Sequence, residues 1–117
     1  MFLIAYDLSA IAGDGLKHSI ESKLEPILSA HMMSNKIAPR TYMTHTTDNF
    51  NTPSSIASMI LSEFGNHFYQ DGVDIINILK SIKLTVCLIQ QDSKGAPIIL
   101  TDTDMENVYN ELQEEFI

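Results

Sequence analysis

Asp7 is the carboxylate of this chain most open to a chemical reading. It closes the apolar run Met1-Phe2-Leu3-Ile4-Ala5-Tyr6 and is followed by Leu8. A near-continuous apolar run reads as a strand covered on both faces. Asp7 therefore falls at the C-terminal end of a strand, where side chains converge on a ligand or a metal. The plainer role for such a residue is to accept backbone hydrogen bonds or cap a turn. His45 is the second candidate. It lies in the run 40–47, and beside Asp7 it would serve as a general base if the two strands are neighbours.

Other chemistries find less in the sequence. His18, His31, His45 and His67 are far apart, and no Cys-x₂-Cys or His-x₃-His spacing marks a zinc site. His31 continues an apolar helical face and reads as a core-edge residue. Cys87 alternates into an interior strand as a small buried hydrophobe. Gly13-Asp14-Gly15 precedes a helix and offers backbone N–H groups to an anion, but it is only a fragment of a phosphate-loop pattern and reads as a simple loop.

The elements that must position Asp7 and His45 follow from periodicity. A helix is expected over about 16–33, with Leu16, Ile20, Leu24, Ile27, Leu28 and His31 on one face. Pro26 should kink it or end it early, because proline removes a backbone donor. Residues 40–47, rich in β-branched and aromatic types, read as a strand, and 48–51 as a loop. Thr52-Pro53 is a helix start, Thr as N-cap and Pro in the first position. Ile56, Met59, Ile60 and Phe64 give that helix its apolar stripe, and Gly65 or Asn66 its end. A short helix is expected over 73–80. The alternating segment 82–90 and Pro97–Leu100 form a hairpin about Asp92-Ser93-Lys94-Gly95. Last, Thr103-Asp104-Met105-Glu106 is a capping-box sequence. It opens an amphipathic helix with Met105, Val108, Tyr109, Leu112 and Phe116 on one face.

The order β-α-β-α-(α)-β-β-α indicates an α/β (α+β) protein. Its core is a ferredoxin-like sheet with helices on one face, followed by a C-terminal hairpin and helix. The 117 residues are long enough for one domain, with an extension from about residue 91. The sheet would keep one open face, for the terminal hairpin and helix to cover in cis or in trans.

Charge narrows the partners. The net charge is −8, and residues 91–117 carry seven acids against Lys94, so most of the negative charge belongs to the C-terminal segment. No basic stripe of the kind a generic nucleic-acid binder shows is present, and the acidity disfavours nucleic acid as a partner. The single Cys87 excludes an internal disulfide and fits a reducing compartment. No segment approaches the roughly 20 apolar residues of a membrane span, and the first apolar run lacks the basic flank of a signal peptide. A cytoplasmic protein with no membrane partner is expected.

The element order and two local motifs resemble the small ferredoxin-fold proteins related to the CRISPR adaptation nuclease and the virulence-associated protein D endoribonucleases. Ile4-Ala5-Tyr6-Asp7-Leu8 matches the first strand ending in Tyr-Asp or Phe-Asp, and Arg40-Thr41-Tyr42-Met43-Thr44 matches the Ser/Thr-aromatic-aliphatic strand. The likeness covers about residues 1–90. It implies a homodimer in which Asp7 of each subunit faces its mate, and a pair of carboxylates holding Mg²⁺ or Mn²⁺ for phosphodiester hydrolysis. The chain departs from the family where basic residues usually follow the Asp, since Ser9 to Asp14 contains none.

A second reading is non-enzymatic. The acidic helix over 102–117 would imitate a row of phosphates and bind a basic protein partner. Glu111, Glu114 and Glu115 sit at its C-terminal end, where the macrodipole opposes negative charge. The first reading gains if the cluster Lys36, Arg40, Lys80 and Lys83 lies on one face beside Asp7, and both readings weaken if these bases pair with the C-terminal helix. The second requires an exposed acidic helix free of Lys or Arg pairing.

Overall fold

A computed structural model describes residues 1–31, 35–44, 52–68, 75–100 and 104–116. The elements are β1 (Phe2–Ala5), α1 (Asp14–Pro26), β2 (Asn35–Ala38), β3 (Thr41–Thr44), α2 (Pro53–His67), α3 (Ile75–Ser81), β4 (Thr85–Gln91), β5 (Pro97–Leu100) and α4 (Met105–Phe116). The sheet order is β2-β3-β1-β4-β5, with every neighbouring pair antiparallel. The first four strands with α1 and α2 have the split βαβ layout of the ferredoxin-like fold. The α+β expectation holds, with β5 and α4 added.

Alternation along β1 sorts the two faces. Phe2, Ile4 and Tyr6 are buried beneath the helices, with Tyr42 and Val86 in register beside Ile4. Ile20, Leu24, Ile56, Ile60 and Phe64 meet them from α1 and α2. On the opposite face Leu3 stands between Met43 and Cys87 in one row. Cys87 is half-buried there rather than fully buried as expected.

Several boundaries move. Pro26 is the last residue of α1, and the backbone widens at once into a π-helical turn over Ile27–His31. Proline cannot donate to the carbonyl one turn earlier, so the regular ladder stops there. The side chain of His31 lies outside the described residues. Leu16, expected on the buried face, is 40% exposed. Of the expected strand 40–47, Thr41–Thr44 form β3, the second arm of a β2–β3 hairpin; residues 45–47 and the expected loop 48–51 lie outside the described residues. β2 escapes a periodicity reading because all four of its residues are exposed, as suits an edge strand carrying Lys36.

Thr52 and Pro53 start α2 as expected, with reciprocal bonds from Ser55 N–H to Thr52 Oγ1 (3.1 Å) and from Thr52 N–H to Ser55 Oγ (2.8 Å). The helix runs through Gly65 and Asn66 to His67. At α4, Asp104 takes the capping role: its carboxylate accepts the Asn107 N–H at 3.1 Å. Thr103, the expected cap, lies outside the described residues. α4 packs on α2 and α3 through Val108 and Leu112 and does not cover the open sheet face. Among the described residues no helix is long and apolar enough to cross a membrane.

Candidate functional site

The end of β1 is gripped from both sides. Tyr6 N–H donates to the carbonyl of Arg40 (3.2 Å), in the turn between β2 and β3. Asp7 N–H donates to the carbonyl of Ile82 (3.0 Å), just after α3. Tyr6 and Leu8 are buried, so the residue between them is turned outward, and Asp7 is exposed. Its Oδ1 accepts the Ser9 N–H at 2.8 Å, an Asx turn of the plainer kind anticipated. That bond, with the nearby positive charges of Lys83 and Arg40, holds the Asp7 carboxyl below its ordinary pKa.

Both flanking bases stand on unusual backbone. Arg40 has φ 57° and Lys83 φ 50°, and they are the two non-glycine residues with positive φ among the described residues. Left-handed backbone at such residues is uncommon and tends to gather at functional sites. Two segments distant in sequence thus bring positive charge to Asp7, although Ser9 to Asp14 contain no base. The other two bases of the expected cluster are engaged elsewhere: Lys36 bonds Glu25 (2.8 Å), and Lys80 lies 5.8 Å over the ring of Tyr109 on α4, the C-terminal helix.

Behind Asp7 lies a polar cluster that periodicity did not reveal. The Tyr6 hydroxyl donates to Glu21 Oε1 and Glu25 Oε1, each at 3.3 Å, and Arg40 Nη2 bonds Glu21 Oε2 at 3.4 Å. Burial, then the two carboxylates, push the Tyr6 phenol well above its usual range. The bond from Lys36 holds Glu25 below its usual value. Tyr42 is fully buried, and its hydroxyl makes no hydrogen bond. Burial, then the nearby Glu25 carboxylate, which lies outside good hydrogen-bond geometry but close enough to favour the protonated phenol, push its pKa up to about 12. The only sequence signal for this cluster was the spacing of Glu21 and Glu25, one helical turn apart on α1.

His45 lies outside the described residues. Its described neighbour Thr44 pairs with Phe2, at the far end of β1 from Asp7. His18 is exposed on α1, and His67 pairs with Glu63 at 2.8 Å. Among the described residues no three His, Cys, Asp or Glu side chains gather as a metal site. Grooves open on the surface among the described residues. One, of about 560 Å³, lies against α1 and includes His18, Glu21, Glu25 and Lys36. Another, of about 500 Å³, separates α2 from α4; Ser54, Ser58, Met59 and Glu111 line it, which explains why Met59 is not in the core. Asp7 lines neither.

Compared with known proteins, the chain matches no family model, no curated protein and no solved structure.

Proposed function

We propose that this chain is a small metal-dependent nuclease, akin to the CRISPR adaptation and virulence-associated D proteins, that works as a homodimer. The observation that carries the reading is the exposed Asp7 carboxylate at the end of a central strand, flanked by Arg40 and Lys83. Among the described residues, Asp7 is the carboxylate that each chain brings to this point. Mg²⁺ and Mn²⁺ are hard ions; Mg²⁺ in particular keeps several waters and takes one or two carboxylates, so the Asp7 of a second copy would complete the pair. Such an ion supplies an activated water and positive charge for phosphoryl oxygens. Within the chain, the Ser9 N–H fixes the orientation of Asp7 and favours its ionised form. The open row Met43-Leu3-Cys87 offers an apolar surface for the second copy.

The test is cleavage of mixed RNA and DNA with Mg²⁺ or Mn²⁺ by wild type and Asp7→Ala, with sedimentation of both. Metal-dependent cleavage by a dimer, lost in the variant while the circular dichroism is unchanged, is the expected result. Cleavage that survives Asp7→Ala removes the site from β1.

One observation favours the non-enzymatic reading. Glu106, Glu111, Glu114 and Glu115 are exposed on α4, and none pairs with Lys or Arg among the described residues. An acidic module of this kind should bind polylysine in a salt-sensitive way. That binding should weaken when Glu111, Glu114 and Glu115 are changed to Gln; equal binding by the variant dismisses it.

A further inference from the structure

Arg40 and Lys83 occupy backbone positions where glycine is the easier choice. Arg40 follows Pro39 in the two-residue connection from Ala38 to Thr41. Proline fixes the first position of such a turn, and a positive φ at the second normally calls for Gly or Asn. Lys83 comes two residues after α3, in the left-handed conformation that glycine commonly supplies beyond a helix end. Two bulky bases are therefore held against local preference, one on each side of Asp7.

Both side chains are open to solvent in part or in full. Arg40 is 40% exposed and uses one guanidinium nitrogen on Glu21 at a long 3.4 Å. Lys83 is exposed, and its ammonium makes no salt bridge or hydrogen bond among the described residues. The Tyr6 N–H bonds the carbonyl of Arg40 and the Asp7 N–H that of Ile82, the residue before Lys83, so the backbone brings both bases to the same strand end. A guanidinium fork with a neighbouring ammonium is a suitable pair for a phosphodiester, the fork giving direction and the lysine a point charge.

We propose that Arg40 and Lys83 form a phosphate clamp beside Asp7, which holds the backbone of a nucleic acid at this end of the sheet. The inference rests on the reading of Asp7 as a nucleic-acid site, and it assigns the binding residues that reading lacked. A bland alternative is that the two bases merely balance Asp7. In that case their removal shifts the carboxyl titration and leaves nucleic-acid binding unchanged.

The experiment is fluorescence anisotropy of labelled single-stranded RNA and DNA of about twelve nucleotides, in EDTA, across a salt series. Wild type should bind at least one strand. Arg40→Gln and Lys83→Gln should each weaken binding about fivefold or more and lower the salt slope by about 0.7. Arg40→Lys, which keeps the charge, should retain more affinity than Arg40→Gln. Arg40→Gly and Lys83→Gly, which relieve the backbone, should fold and still bind weakly. Binding of neither strand by wild type, or unchanged affinity and slope in the variants, overturns the clamp. Cleavage is scored separately with Mg²⁺ or Mn²⁺. Clamp-dependent binding without cleavage leaves the clamp standing and dismisses the nuclease. Cleavage by both Gln variants at wild-type KM does the reverse.

Discussion

Phe116 lays its ring against Gly65, so closely that a Cβ on Gly65 would come within 2.5 Å of the ring. This contact joins the last turn of α4 to the last turns of α2, alongside the burial of Val108 and Leu112. Glycine inside a helix ordinarily costs about 1 kcal/mol relative to alanine. Here it makes room for α4. The two effects oppose each other, so Gly65→Ala should gain little or lose stability in the wild-type background. In a Phe116→Ala background the same change should recover about 1 kcal/mol. Urea denaturation of the four proteins measures the coupling, and additive effects would show that the ring does not need the glycine.

The start of α2 offers a cleaner measurement. Thr52 and Ser55 exchange two hydrogen bonds, and Pro53 needs no donor at the first helical position. Thr52→Ala leaves the Ser55 N–H without its cap and should cost about 1 kcal/mol. Thr52→Ser should cost much less, since the accepting oxygen remains. Equal losses in the two variants would point to packing of the threonine methyl instead.

These two ends illustrate what the sequence makes legible. Thr52-Pro53 and the stripe of α4 are local signals, and the structure places both as expected. Pro26 also acts as its chemistry requires, at the last residue of α1. β2 is hidden because its residues are exposed on both faces and carry no alternation. Asp7 is visible as a strand-end carboxylate, but its surroundings are not. Arg40 and Lys83 reach it from positions 33 and 76 residues further along the chain, through sheet pairing that no local pattern encodes. The left-handed backbone that singles them out is a property of φ, and nothing in the residue types Arg and Lys announces it.

The ionisation of Asp7 reports those neighbours directly. Its pKa is lowered first by the Ser9 N–H and then by Lys83 and Arg40. A carboxylate with a lowered folded pKa contributes stability that is complete above its unfolded value, about pH 4, and is lost as pH falls through the folded value. Carboxyl NMR should therefore find Asp7 titrating below the ordinary range. Added salt should raise the midpoint only part of the way, since it screens the two cations but leaves the Ser9 bond. Lys83→Gln should raise it at low salt and not at high salt. A midpoint at the ordinary aspartate value would remove the electrostatic link between β1 and its two flanking segments.

Two buried phenols should respond to the same substitution with opposite signs. The Tyr42 hydroxyl is buried without a hydrogen bond, whereas the Tyr6 hydroxyl serves Glu21 and Glu25. Tyr42→Phe removes an unsatisfied polar atom, and it keeps the ring that lies 6.0 Å from the Lys36 ammonium. It should stabilise the fold by about 1 kcal/mol. Tyr6→Phe removes the hydrogen bond that Glu21 and Glu25 share, leaving them to Arg40 and Lys36 alone, and should cost about 1 kcal/mol. Both phenols have folded pKa values raised above the unfolded value near 10, with Tyr42 reaching about 12. The stability tied to each is complete below about pH 10 and is lost as pH rises toward the folded value, because the unfolded chain ionises first. The Tyr6→Phe, Tyr42→Phe double variant should therefore show a flatter stability curve between about pH 10 and 12 than wild type. Denaturant titrations across that range decide it. A wild-type curve as flat as that of the double variant would mean that neither phenol is held protonated by the fold.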